Sequence, residues 1–354
     1  MNQRYSWFKG FLLLRLQNIP MPRYAIIIFS ALLLTSVLFY SCHHRTTDVD
    51  LGSINIKTVE LHRYEKALFT LDPQNLKLGL PAIADEFKIF LGDQYLEPVN
   101  LMRLQSFISD TAMKSLYRAT MRSYPDLTGQ DFELTSAFRY FKYYCPEKAM
   151  PDVYTYITGL DIDNPVRYSE EGLVIGLDLF LGSTEPIYAK SGFPQYKIAR
   201  MTSKQFAPYC MAEIGRSLVV VDGQKQRLLD LIIAEGKVLY FEELTLPGTA
   251  DYIKIGYTSI QFDWCKANEV KIWAFLVENN LLFTTDPIAV GKLLTDGPFT
   301  SGFGNESPGR IGAWVGWQIV RAYMQRNPEL ALAELMKETD SQKILEGSRY
   351  KPRK

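Results

Sequence analysis

Histidine is nearly missing from this chain. Its 354 residues hold three, His43, His44 and His62, and none follows. The scarcity excludes much chemistry. A Ser-His-Asp or Cys-His mechanism needs an imidazole because that ring titrates near neutral pH, and only His62 is placed to supply one. A zinc site of the H-E-x-x-H kind needs two imidazoles one helical turn apart, and the helical part of the sequence has neither. Long basic runs are also absent. The longest is the terminal Lys351-Pro-Arg-Lys354, and 39 Lys and Arg balance 39 Asp and Glu, so nucleic acid is not expected as a partner.

Cysteine is sparse, with Cys42, Cys145, Cys210 and Cys265 in all. With Cys42 assigned below to a lipid, the other three cannot all pair within one chain, and no disulfide framework is implied. Their neighbours, as in Tyr143-Tyr144-Cys145 and Phe262-Asp263-Trp264-Cys265, mark them as small buried hydrophobes.

What is present begins with an apolar run from Ala25 to Tyr40, preceded by Arg23 and followed directly by Ser41-Cys42. Its length suits a signal peptide rather than a membrane span. A positive end holds the cytoplasmic side, a short apolar helix enters the bilayer, and a small residue before cysteine admits the peptidase. Residues 1–42 therefore read as a lipoprotein signal peptide, with Cys42 as the lipid attachment site and acyl chains such as palmitate as the membrane anchor. Two or more chains give stable anchoring where one does not. An uncleaved anchor helix gives the same topology, because every nearby positive charge precedes the run. Met21, just before Pro22-Arg23, is an alternative start. The four cations Arg4, Lys9, Arg15 and Arg23 leave with the signal and no acid does, so 39 − 4 = 35 basic groups face 39 acidic ones in the mature chain. Residues 43–60 read as a tether in which His43 and His44 belong to a flexible polar leader. Residues 61–354 read as one globular domain. No acidic run follows Cys42, which favours the periplasmic face of the outer membrane.

Helical periodicity dominates that domain. Leu76, Leu80, Ile83, Phe87 and Leu91 fall on one stripe, and Asp110 is placed to cap the helix carrying Met113, Leu116 and Tyr117. The first half therefore reads as all helix. Between Val153 and Gly182 short β-branched and aromatic runs, Val153–Thr158 and Leu173–Phe180, flank the turn-rich Asp161-Ile-Asp-Asn-Pro165, which predicts a small sheet in the middle of the chain. Helices return after Gly192, one from about Pro208 to Val221 and one from Glu269 with Val270, Trp273, Ala274, Val277 and Leu281 on one face. The stretch Ile311–Val320 is apolar nearly all round and should be a central buried helix. Gly312 and Gly316 each cost it ~1 kcal/mol of propensity, a cost accepted where another backbone comes close. The fold class is thus α+β, predominantly helical. Of the tryptophans, Trp264 is open to core or contact, while Trp273, Trp314 and Trp317 fit the core better.

Carboxylate neighbours exist at Asp161 and Asp163, Glu170 and Glu171, and Glu242 and Glu243. Acids adjacent in sequence are usually solvated turns or helix starts, and each pair reads that way. Gly302-Phe-Gly304 lacks the strand-then-helix context of a phosphate loop and reads as a plain turn.

The segments Glu306-Ser-Pro-Gly-Arg-Ile-Gly-Ala-Trp-Val-Gly-Trp-Gln-Ile-Val-Arg-Ala-Tyr323, Ile344–Pro352, Ile175–Gly182 and Leu228–Lys237, together with the lipoprotein leader, resemble the gliding motility-associated lipoprotein GldB family of Bacteroidetes. The likeness spans nearly the whole mature chain with its motifs in order. It implies a lipoprotein needed for surface gliding and linked to the type IX secretion machinery, with other components of that machinery and the membrane as partners. In that phylum looser boxes such as Phe39-Tyr40-Ser41-Cys42 are expected.

A second resemblance is to gluzincin-type zinc proteases, in which H-E-x-x-H on a helix is followed by a Glu-Gly pair supplying the third ligand. The matching positions here are Ala212-Glu213-Ile214-Gly215-Arg216 and then Glu235-Gly236. Both ligand histidines are replaced, by Ala212 and Arg216, while Glu213 and Glu235 remain. Arg216 is a fixed cation with no lone pair for zinc. The likeness implies a zincin-like shell with no metal and no cofactor, in which the Arg216 guanidinium takes the metal's place between Glu213 and Glu235. The plainer alternative is an exposed i,i+3 pair worth ~0.2–0.5 kcal/mol. The expectation is a non-catalytic accessory or scaffold protein, a pseudo-enzyme. An extracytoplasmic hydrolase with unconventional ligands is the alternative.

Overall fold

Val153 and Thr155 alternate with Tyr154 and Tyr156, and a strand sends such a pattern to opposite faces. In the computed structural model, which describes residues 49–223 and 226–352, these residues form the second strand of a four-stranded sheet. Its strands are β1 Leu61–Arg63, β2 Val153–Tyr156, β3 Val166–Ser169 and β4 Gly172–Gly176, in the order β1-β2-β4-β3. The pairs β1·β2 and β2·β4 are parallel, with Leu61 opposite Val153 and Val153 opposite Leu173, and β3 runs antiparallel to β4. Leu61, Val153, Val166, Leu173 and Ile175 enter the main core. Tyr154 and Tyr156 turn the other way onto a smaller core built on Tyr64, Leu68, Leu76, Leu80 and Phe87.

The sheet lies where the sequence predicts, with two additions. β1 interrupts a region expected to be all helical, because three residues are too few to show a period. β3 occupies the stretch after the turn at Asp161–Pro165 and meets β4 through the exposed Glu170-Glu171. The single stripe Leu76–Leu91 is broken into Leu76–Gly79, Leu80–Ala82 and Lys88–Leu91, since Gly79 and Pro81 disfavour a continuous helix. Leu76, Leu80, Phe87 and Leu91 are nevertheless buried together.

The long helices are α1 Pro98–Ser109, α2 Thr111–Ser123, α3 Thr128–Tyr144, α4 Phe206–Leu218, α5 Leu228–Thr245, α6 Ser259–Glu278, α7 Pro287–Leu294 and α8 Ile311–Arg326. Asp110 caps α2 as expected, accepting from the backbone N–H of Ala112 at 2.8 Å and of Met113 at 2.9 Å. α4 ends three residues before Val221. Its last residue is followed by the β-branched run Val219-Val220-Val221, which leaves the helix so that the Val220 N–H reaches the Met336 carbonyl at 3.0 Å. α6 starts ten residues before Glu269, at a capping box in which Thr258 and Gln261 satisfy one another's backbone.

α8 is the buried central helix, with Trp314 and Trp317 at most 1% exposed. Trp264 and Trp273 are half-buried, and Trp273 meets the Tyr350 ring edge-on. α8 crosses α5 at a glycine-to-glycine contact: a Cβ on Gly236 would lie 2.3 Å from the Gly316 carbonyl carbon, and one on Gly316 would lie 1.7 Å from the Ile232 carbonyl oxygen. Gly236 thus serves the crossing, and the residue before it, Glu235, is carried to the N-terminal end of α8. α4 also seats on α5 at a glycine, Gly215, where a Cβ would lie 2.8 Å from the Phe241 ring. Asp50–Lys354 forms a compact unit with its own core. Part of the stretch read as tether belongs to it, since Ile56 and Val59 pack on the core and the Val59 N–H donates to Thr135 Oγ1 at 2.9 Å. Cys42, the signal peptide, His43 and His44 lie outside the described residues. Cys145, Cys210 and Cys265 are buried free thiols, as expected.

Candidate functional site

The four residues singled out from the sequence stand on two packed helices, and three of them meet. Glu213 and Arg216 are one turn apart on α4, and Glu235 faces them from α5. Arg216 Nη1 donates to Glu235 Oε1 at 2.6 Å, and Arg216 Nε lies 3.5 Å from Glu213 Oε1. Ala212 brings no polar atom and leaves space beside them, lining a small inner pocket.

A fourth group completes the cluster. Arg310 Nη2 donates to Glu235 Oε2 at 2.8 Å, so each oxygen of this carboxylate is held by its own guanidinium. Arg310 sits at the N-cap of α8 with φ 54° and ψ 35°. A left-handed conformation is costly for a residue bearing Cβ, and the surroundings hold it there: Tyr257 donates its hydroxyl to the carbonyls of Gly309 at 2.9 Å and Arg310 at 3.2 Å, and Thr300 Oγ1 donates to the Pro308 carbonyl at 2.7 Å. Burial by itself pushes the Glu235 carboxyl up, but Arg310 and Arg216 together outweigh it and hold it below the usual carboxylate range. Glu235 is therefore ionised at neutral pH.

Two joined cavities open on this cluster. The outer is a cleft of ≈ 590 Å³ lined by apolar residues such as Leu179, Phe180, Val219 and Val238 and by the charged Asp163, Lys197, Arg200, Arg216, Glu235, Asp296 and Arg310. That volume lies within the range of small-molecule sites, ~300–1,000 Å³. The inner pocket, ≈ 100 Å³, shares Arg200, Tyr209, Arg216, Glu235, Val238 and Arg310 with it and adds Glu213, Glu242 and Lys254. Arg200 is ion-paired with Asp296 on the cleft wall.

Glu242 departs from the expectation of a solvated acid. It is 2% exposed, and its Oε2 has no hydrogen-bond partner. Burial pushes its carboxyl well above the usual range against the pull of Lys254, Arg310 and Arg216. Its neighbour Glu243 accepts from Trp317 Nε1 at 2.9 Å and Arg321 Nε at 2.6 Å and serves the core. Asp161 pairs with Arg167 at 2.9 Å on the surface, and Asp163 with Lys197 at 2.8 Å, both of the latter lining the cleft. His62 lies on β1 beside Glu86 and lines neither cavity. Among the described residues no group of three His, Cys, Asp or Glu is placed to hold a metal ion. Gly302 and Gly304 lie in a turn with positive φ.

Sequence reasoning missed Arg310 and Glu242. A signal existed for Glu242, seven residues after Glu235 and so on the same face of α5. For Arg310 the only hint was its place directly before a glycine-rich buried helix. The comparison with known proteins bears on the whole of this frame: a model of the family described as gliding motility protein GldB matches residues 44–352. The chain belongs to the GldB family. With that membership come an association with gliding motility and lipoprotein character in the cell envelope. Among the described residues no helix is long and apolar enough to cross a membrane. No curated protein and no solved structure matches the chain.

Proposed function

We propose that this GldB-family protein is a non-catalytic accessory or scaffold component of the gliding apparatus and its associated type IX secretion machinery. It is lipid-anchored through Cys42 at the periplasmic face of the outer membrane and works by binding other components. The observation that carries the non-catalytic part is the Arg216 guanidinium seated between Glu213 and Glu235. In a gluzincin those positions surround zinc, and a fixed cation here balances the carboxylates while offering no Lewis acid and no exchangeable water. The helix pair survives as a frame and the cleft above it as a binding surface. The test is the metal content and peptidase activity of the purified protein, with Arg216→Ala alongside. No stoichiometric metal and no hydrolysis in either agrees with this reading; a stoichiometric zinc in the parent overturns it.

One observation favours a second reading, an extracytoplasmic hydrolase. Glu235 is ionised and Glu242 protonated within the same inner pocket, and carboxyls pushed apart in this way are the pattern of a general base and a general acid. Hydrolysis of a casein-derived peptide pool that is lost in Glu235→Gln and in Glu242→Gln would establish this alternative.

A further inference from the structure

The inner pocket holds an unmet need. Glu242 is buried, its Oε2 is unpartnered, and it lines the ≈ 100 Å³ space together with Arg216, Arg310 and Lys254. An unsatisfied buried polar oxygen is costly, and in a native protein it calls for an explanation. The guanidiniums point to the same place. Arg216 and Arg310 each use one Nη on Glu235, and the other Nη of each makes no hydrogen bond among the described residues. The ≈ 100 Å³ space is several times what one water needs and admits a planar three-atom anion. The larger cleft, ≈ 590 Å³, adds an apolar stretch of wall that includes Leu179, Phe180, Val219, Val221 and Leu294, beside the ion pairs Asp163–Lys197 and Arg200–Asp296. Small polar end and long apolar trough are continuous through Tyr209 and Val238, which line both.

We propose that the joined cavities bind a carboxylate borne on an apolar chain, the carboxylate entering the inner pocket between Arg216, Arg310 and Glu242 and the chain lying along the outer cleft. The sign of the ligand's charge follows from the wall. The acids of the walls are engaged, Glu235 by two guanidiniums, Glu213 by Arg216, Asp296 by Arg200 and Asp163 by Lys197, and Lys254 is held by Asp251, which leaves the second Nη of Arg216 and of Arg310 as the cationic donors that meet a ligand. A ligand ammonium would meet the cations and find no free carboxylate. A protonated Glu242 instead offers an O–H to an anionic oxygen, and Arg216 and Arg310 offer the fork of donors that suits a carboxylate. Two sources carry this chemistry, the C-terminus of an apolar peptide segment and a free fatty acid. The assignment rests on the non-catalytic reading above, in which the ligand is held and released unchanged.

The test is titration calorimetry on residues 50–354 with three probes: an N-acetylated apolar tetrapeptide with a free C-terminus, the same peptide as its C-terminal amide, and dodecanoate. The variants are Ala212→Leu, which fills the inner pocket without touching a charge, and Glu242→Leu and Glu242→Gln, each checked for folding by its thermal transition. The free-acid peptide is expected to bind at least tenfold more tightly than the amide. Ala212→Leu abolishes this binding, Glu242→Leu weakens it about tenfold or more, and Glu242→Gln, which keeps a donor, restores most of it. Binding of dodecanoate with the same sensitivities and none of the peptide upholds the chemistry and names the fatty acid as its source. Equal binding of acid and amide, indifference to Ala212→Leu, or no binding of any probe overturns the proposal. Mass spectrometry of the recovered peptide separates the two readings: a shortened peptide refutes the non-catalytic function, whereas an intact peptide that never bound refutes this assignment alone.

Discussion

Replacing Gly316 with alanine should unfold this protein at a markedly lower denaturant concentration, although alanine is the better helix former. On propensity alone the change favours the helix by ~1 kcal/mol. Against that stands the crossing of α5 and α8. The added Cβ would lie 1.7 Å from the Ile232 carbonyl oxygen and 2.5 Å from its carbonyl carbon. Both contacts are to backbone, so no side-chain rotation relieves them, and the helices must part by more than ~1 Å to reach ordinary contact. A gap of that size forfeits up to about half the dispersion attraction of each facing pair, and the pairs here include the buried Ile232, Ile233, Val315 and Ile319. The net cost is expected at ~3 kcal/mol or more, the upper part of the overpacking range. Urea unfolding followed by tryptophan fluorescence is a direct assay, since Trp314 and Trp317 lie on α8 itself. Gly291→Ala is the control. It is helical, and the nearest atom to its Cβ would be Thr295 Oγ1 at an unstrained 3.5 Å, so it should gain up to ~1 kcal/mol. A Gly316→Ala protein as stable as its parent would refute the close approach and with it the placement of Glu235 beside Arg310.

Other outcomes follow from the site. Glu235→Gln leaves two guanidiniums without their shared carboxylate and should cost ~2–4 kcal/mol at pH 7 by urea unfolding, whereas Arg216→Ala, whose side chain is 47% exposed, should cost under ~1 kcal/mol; the reverse order would contradict the geometry. Because the Glu235 carboxyl is held below its unfolded value, its contribution is complete above that value and fades as pH falls through the folded one, so the penalty of Glu235→Gln should shrink in acid. Glu242 has the opposite sign. Its folded form keeps the proton, so ionisation of the unfolded chain weakens the fold as pH rises above the ordinary glutamate value of 4.5. Glu242→Gln should therefore gain stability over its parent by up to ~1.4 kcal/mol per pH unit between there and neutrality, measured as paired urea midpoints. Finally, Cys145, Cys210 and Cys265 should resist a thiol reagent in the native state and all react on unfolding, since burial pushes the Cys145 thiol up to about 11 and the others are buried too.

Much of this protein is legible in its amino-acid order because the relevant physics is local. Apolar period and turn residues place the central sheet at Val153–Gly176, the Asp110 cap starts α2, and the all-round apolar character of Ile311–Val320 marks the innermost helix. The glycines inside that helix announce a close backbone neighbour without saying which. Local order also fixes what is absent: with histidine confined to three early positions, the helices from α1 onward carry no imidazole. Where the reading stops short, the cause is a competing period at two places and distance in sequence at the others. Thr258 with Gln261 and the break at Gly79 and Pro81 are short-range signals outweighed by a longer apparent period. β1 is a strand only because β2, ninety residues on, gives it a partner. Glu242 looks like any acid beside another acid, and only the packing of α5 between α4 and α8 removes it from water. Arg310 reaches Glu235 across 75 positions. Helix, cap and strand are decided by neighbours along the chain, whereas the charge state of Glu242 and the pairing of Glu235 are decided by what tertiary packing brings against them.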